Sequence, residues 1–208
     1  MATPPPLKKV KAAKASEVCA HVELPKEAVA LLKPDSTPRA YLDALLGARQ
    51  FQAAIRFLAH ALPPREAIWW GSLCAKQVAG KGLPAAETAA LKAAVVWVLE
   101  PTEENRAATK APGQAAGLKT PAGALAIAAS WTGGTLAPPQ PKLPPVVPGP
   151  YMPAKAVMGA VLLASTRGTP TPIEESQRTF AELGIAVAEG RVTWPDVKPR
   201  SVGKTWGY

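Results

Sequence analysis

The stretch AKAVMGAVLLAS, residues 154–165, decides the architecture. Wound as a helix it is apolar around nearly its whole circumference, interrupted only by Lys155, so it cannot stand in water and must be covered on several sides. About 38 residues in helical pattern follow the proline run that precedes it, too few for a core of their own. The helix must therefore dock into the residues before it, and the chain reads as one domain.

The preceding run, Leu136–Pro153, is LAPPQPKLPPVVPGPYMP. Its eight prolines exclude helix interior and central strand and leave extended polyproline-II structure. At about 3.1 Å per residue, fifteen such residues reach about 45 Å. Because the helix behind it must dock, this segment is expected to be a strap laid across the surface of one domain.

Working outward, proline and threonine punctuate a series of short helices. Ser16 can cap a helix running to His21, and Pro25 opens another to Leu32. Thr37-Pro38 and Thr120-Pro121 place a capping hydroxyl before a proline at the first helical position. Between them, Phe51, Ile55, Leu58 and Leu62 share one face of a helix that stops at Pro63-Pro64. The next helix carries adjacent tryptophans, Trp69 and Trp70, which point about 100° apart and cannot share one narrow stripe. With Ile68, Trp69, Leu73 and Cys74 inward, either the helix is covered on two sides or Trp70 is left for a partner. Pro84 starts AAETAALKAAVVWVL, expected to be buried all round near Val95–Leu99, and Thr102 caps a weaker helix over EENRAATK. Thr171-Pro172-Ile173-Glu174 reads as a capping box for the last helix. The expected fold is all-α: a single irregular domain of about eight to ten short helices over 15–190, between a flexible basic tail, 1–14, and a basic aromatic tail, 191–208. Its core should draw on Leu45, Leu58, Ile68, Trp69, Val96, Leu125, Val161 and Leu162.

Composition agrees with this. Alanine supplies roughly a fifth of the residues and β-branched side chains are sparse, which favours helix over strand. No apolar stretch approaches the roughly 18 residues of a membrane span, and the basic start has no apolar region of a secretory signal behind it. Two cysteines, Cys19 and Cys74, read as free thiols in a reducing cytoplasm. The net charge of +9 sits at the ends: eight of the 24 basic residues and one of the 15 acids lie in the two tails, so the body carries only +2. Tail-borne charge can bind phosphates non-specifically, but no basic stripe marks a folded nucleic-acid surface.

The sequence offers little chemistry. Its two histidines, His21 and His60, come with no cluster of ligand spacing, so neither a metal nor a cofactor is expected. Acid pairs such as Glu103-Glu104 sit in first turns of helices, where the helix dipole accounts for them. Gly203-Lys204-Thr205 has Lys198 where a phosphate-binding loop requires glycine. No catalytic residue is assigned. One alternative is a small enzyme or ligand-binding protein with a buried site near His60 and Cys74; another is non-specific nucleic-acid binding by the tails. The leading expectation is a non-enzymatic adaptor that binds other proteins, with Trp70, Trp194, Trp206 and Tyr208 as candidate contacts. The three aromatics of the tail either tuck into grooves of their own domain or dock on a partner, where aromatic side chains are frequent hot spots.

The segments Phe57–Pro63, Arg65–Trp70 with Cys74, Trp97, Glu100–Arg106 and the Trp131-Thr132-Gly133-Gly134 turn resemble an uncharacterised bacterial family of alanine-rich helical proteins. The resemblance extends through the proline strap and the helix of Ala156–Ala164. It implies a cytoplasmic, non-enzymatic accessory protein of secretion-system neighbourhoods, type VI among them.

Overall fold

The structure, a computed structural model, describes residues 5–80, 82–137, 143–167 and 172–195. Among them are eleven α-helices and no strand: α1 (Ala15–Cys19), α2 (Lys26–Val29), α3 (Pro38–Gly47), α4 (Phe51–Ala61), α5 (Pro64–Gln77), α6 (Ala85–Leu99), α7 (Glu103–Ala108), α8 (Lys110–Ala116), α9 (Pro121–Ser130), α10 (Met152–Ser165) and α11 (Ile173–Glu189). Three starts are fixed by the threonine hydroxyls expected there. Thr37 Oγ1 accepts from the Ala40 N–H, Thr102 Oγ1 from Asn105 and Thr120 Oγ1 from Gly123, at 3.0–3.2 Å. α8 is an addition, because Thr109 ends α7 and at once begins a further turn. At α11 the residue before the helix is Pro172, which provides no side-chain cap. Thr171, read as the start of a capping box, lies outside the described residues.

The helices form one all-α domain around α9, every residue of which is buried. α5, α6, α8 and α10 all pack against it. Alanine and glycine permit this, because a helix without bulk lets its neighbours' backbones come close. At Gly71 on α5, an added Cβ would fall 2.4 Å from Leu125 Cδ2 of α9. α11 closes the other side over α4 and α5, with Gly184 against Trp70 and Leu58, and ends on Gly190 in the left-handed region, φ 78°.

α10 docks as its sequence requires, against α9, α5, α4 and α11. Its buried stripe is Val157, Ala160, Val161 and Ala164, an i, i+3, i+4, i+7 pattern, while Met158 and Leu162 pack at the margin. Of the expected core, Leu45, Leu58, Ile68, Leu125 and Val161 are fully buried. Leu162 and Trp69 are half-buried and Val96 is exposed, since α6 turns Trp97 and Val98 inward instead.

Two expectations about the edges change. The strap does not run straight across the domain: the Leu136 N–H donates to Val146 O at 2.7 Å, so the proline segment loops back on itself before entering α10. The described part of the basic N-terminal segment is tied down. Leu7 is buried, the Lys9 N–H donates to Ala188 O at 2.8 Å, and Lys9 and Lys14 pair with Glu66 and Asp35. Arg39 and Arg191 converge on the buried Glu189 carboxylate, and Arg39 also donates to Pro5 O. Together these fasten the segment from Pro5 to Lys14 and the turn at Arg191 to the rest of the domain.

Candidate functional site

The adjacent tryptophans take the reverse of the expected roles. Trp70 is fully buried, its Nε1–H donating to Phe180 O at 2.8 Å, so it offers no face to a partner. Trp69 is the half-buried one, with a buried Nε1 that has no partner. Trp194 lies back on its own domain, its ring 4.1 Å from the Arg65 guanidinium and 5.9 Å from Lys9 Nζ. Arg65 in turn donates to Val98 O and Leu99 O and so closes the C-terminus of α6. Trp206 and Tyr208 lie outside the described residues, as do Lys198, Arg200 and Lys204 of the basic tail.

Two surface features remain. The first is a groove of about 500 Å³, within the size range of small-molecule sites, lined by Lys11, Glu17, His21, His60, Tyr151 and the Pro63-Pro64 turn among others. Both histidines meet here. Tyr151, the residue before α10, stacks on His21 with ring centroids 4.3 Å apart and lies 6.2 Å from His60. His60 Nδ1 is 2.9 Å from Arg56 O. A carbonyl only accepts, so Nδ1 carries the proton and Nε2 keeps its lone pair. That Nε2 is buried without a partner. Burial holds the imidazole below its ordinary pKa; the Arg56 carbonyl opposes this, and Lys155 and His21 add to it. The result is a neutral imidazole whose free acceptor is shut off from solvent, so it meets a ligand only if a lining side chain moves aside. Two imidazoles make an incomplete metal site, and among the described residues no three His, Cys, Asp or Glu side chains group to hold an ion.

Cys74 does not line this groove. It is fully buried on α5, where desolvation pushes its thiol well above the usual range and leaves it inert. Of the alternative site near His60 and Cys74, only His60 reaches the groove, where it meets His21 and Tyr151. Cys19, half-buried, is likewise raised by burial, against a hydrogen bond with Tyr41.

The second feature is the proline loop. Leu143, Pro144, Pro145, Val146 and Val147 are consecutive and all exposed, with Leu143 and Val147 at 61% and Val146 at 57%. The other large exposed hydrophobics among the described residues stand singly: Val29, Val96 and Ile173 on separate helices and Leu118 in the connection between α8 and α9. Scattered apolar side chains are ordinary on a protein surface, whereas a contiguous set marks a place of contact.

The fold thus defines an all-helical single-domain protein built around a buried alanine helix, in which no described helix is long and apolar enough to cross a membrane. The chain belongs to DUF6931, a family of unknown function, whose model matches residues 41–188. No curated protein and no solved structure matches it. His60, Tyr151 and the proline loop fall inside the matched segment; Lys11, Glu17 and His21 fall before it.

Proposed function

We propose that this protein is a non-enzymatic adaptor that works by binding another protein, in the setting of a bacterial secretion apparatus. The observation that carries the binding reading is the run of five exposed apolar residues at 143–147, held on a loop whose two ends are fastened. Keeping such side chains in water has no folding benefit, and contact with a partner would remove them from it. Trp194 no longer supports this reading, because its ring is engaged by Arg65. The test is site-specific photo-cross-linking in the source cells, with the reactive residue at position 147 and, as control, at the isolated exposed Val29. A discrete product from 147 alone supports the adaptor reading, and secretion-apparatus components in that product support the setting. Equal or absent products from the two positions refute the binding reading.

A second reading rests on the groove. The groove is of small-molecule size and carries His21, Tyr151 and the neutral His60 in its lining, which suits a small planar ligand that stacks on these rings. A fragment screen read on the two histidine side-chain NMR signals tests it. Coincident shifts of both signals, abolished by Tyr151→Ala, are expected; no shift with any fragment counts against it.

A further inference from the structure

We infer that Leu143–Pro148, LPPVVP, is itself the docking element, and that its partner is a domain with an aromatic-walled groove that takes extended proline helices. The inference rests on the adaptor reading and gives its partner a chemistry. Pro145 and Pro148 are three residues apart, and a polyproline-II helix repeats every three residues. Both pyrrolidine rings then fall on one edge, Leu143 and Val146 on a second, and Pro144 and Val147 on a third. Grooves of this class bind two such edges between parallel aromatic rings and recognise the Pro-x-x-Pro spacing.

Presentation of the segment matches that use. Its first five residues are exposed and Pro148 is half-buried, where the chain turns back to the domain. Proline holds its own φ near −65°, so three of the six residues are already restricted. The segment is fastened within itself and on its C-terminal flank. Val146 O accepts from Leu136 N–H, the Gly149 N–H lies 3.2 Å from Met152 Sδ, and Tyr151 stacks on His21. A ligand held in its bound form loses less entropy on association. A second copy of this chain is a poor fit, because its groove at Tyr151 holds no second Phe, Tyr or Trp in the lining and so lacks the parallel aromatic walls required.

The experiment is a calorimetric titration of the full-length protein with an isolated SH3 domain of broad Pro-x-x-Pro specificity, beside a free peptide of residues 143–150. Saturable binding by the full-length protein is expected, weakened about tenfold or more in the Pro145→Ala/Pro148→Ala variant. Circular dichroism of that variant should match the parent, since both changes lie outside the helices. Binding by the peptide but not by the protein would mean that the loop withholds the motif, and binding by neither would mean that the segment is no ligand of this class; either result overturns the inference. Equal binding by parent and double variant overturns it too. The adaptor reading is judged separately, by cross-linking from position 147: a captured partner that lacks an aromatic groove preserves that reading while this inference fails.

Discussion

Replacing Gly184 by alanine sets two effects of opposite sign against each other. In a helix interior, glycine to alanine contributes about 0.8–1 kcal/mol through backbone entropy alone. At position 184 the new methyl would lie 2.8 Å from Trp70 Cε2, 2.9 Å from Leu58 Cδ1 and 3.1 Å from Trp70 Cζ2. Leu58 can rotate, but the Trp70 indole is fully buried and pinned through its bond to Phe180 O. Overpacking of this kind costs about 1–3 kcal/mol. The balance is a net loss of about 1 kcal/mol, or a fall in Tm of about 2–4 °C for a chain of this size. Gly159 on α10 is the control: an added methyl there meets nothing within 4 Å, so only the entropy remains and Gly159→Ala should raise Tm by about the same amount. Differential scanning calorimetry of the two variants reads the signs directly. If Gly184→Ala is as stabilising as Gly159→Ala, α11 does not approach α5 as closely as described and the reasoning is refuted.

Three further outcomes are expected. Because His60 titrates below its ordinary value of about 6.5 in the folded protein, the unfolded chain binds the proton more readily. The stability that depends on the neutral ring is therefore full above pH 6.5 and declines as pH falls from there to the folded value; a histidine NMR titration showing His60 with a midpoint above 6.5 would contradict this. Arg39→Ala leaves the buried Glu189 with Arg191 as its remaining ion-pair partner, so it removes one charged hydrogen bond without orphaning the carboxylate and should cost about 1.5–3 kcal/mol in urea unfolding. Adding Glu189→Gln to it should recover part of that loss, and no recovery would mean that buried charge is not the cause. A chain ending at Gly134 lacks α10 and α11 and should bind hydrophobic dyes and melt without cooperativity; a cooperative melt near the full-length temperature would make the last two helices an appendage.

Local signals in the sequence proved dependable where one residue fixes one backbone group. The hydroxyls of Thr37, Thr102 and Thr120 and the prolines at 38, 64 and 121 start helices because capping acts within one turn. The need to cover 154–165 was legible for a similar reason, since a helix that is apolar on nearly every side has no other solution. The choice between neighbours was not legible. Trp69 and Trp70 are equally apolar, and which turns inward depends on where Gly184 leaves room for an indole, 114 positions later in the chain. In α6 apolar residues surround the helix near its end, so no preferred face told Val96 from Val98. The groove was hidden by distance: His21, His60 and Tyr151 follow no spacing rule and meet only when α1, α4 and the start of α10 are brought together. His60 stood out as a candidate, but the partner sought for it was a cysteine, whose burial makes it unreactive.

The enclosure of α9 also orders events during synthesis. α5, α6 and α8 are already made when α9 is completed, but the helix that covers its remaining side, α10, ends about 35 residues later. At about 5–20 residues per second a ribosome takes roughly 2–7 s to add them. For that interval the nascent chain carries an alanine helix with one side open and the proline loop still unanchored at its far end. The hydrogen bond from Leu136 to Val146 joins residues that are both made some twenty positions before α10 is finished, so a loop closed at that stage would hold the arriving helix near the side it must cover. The proline segment would then serve as a guide for assembly.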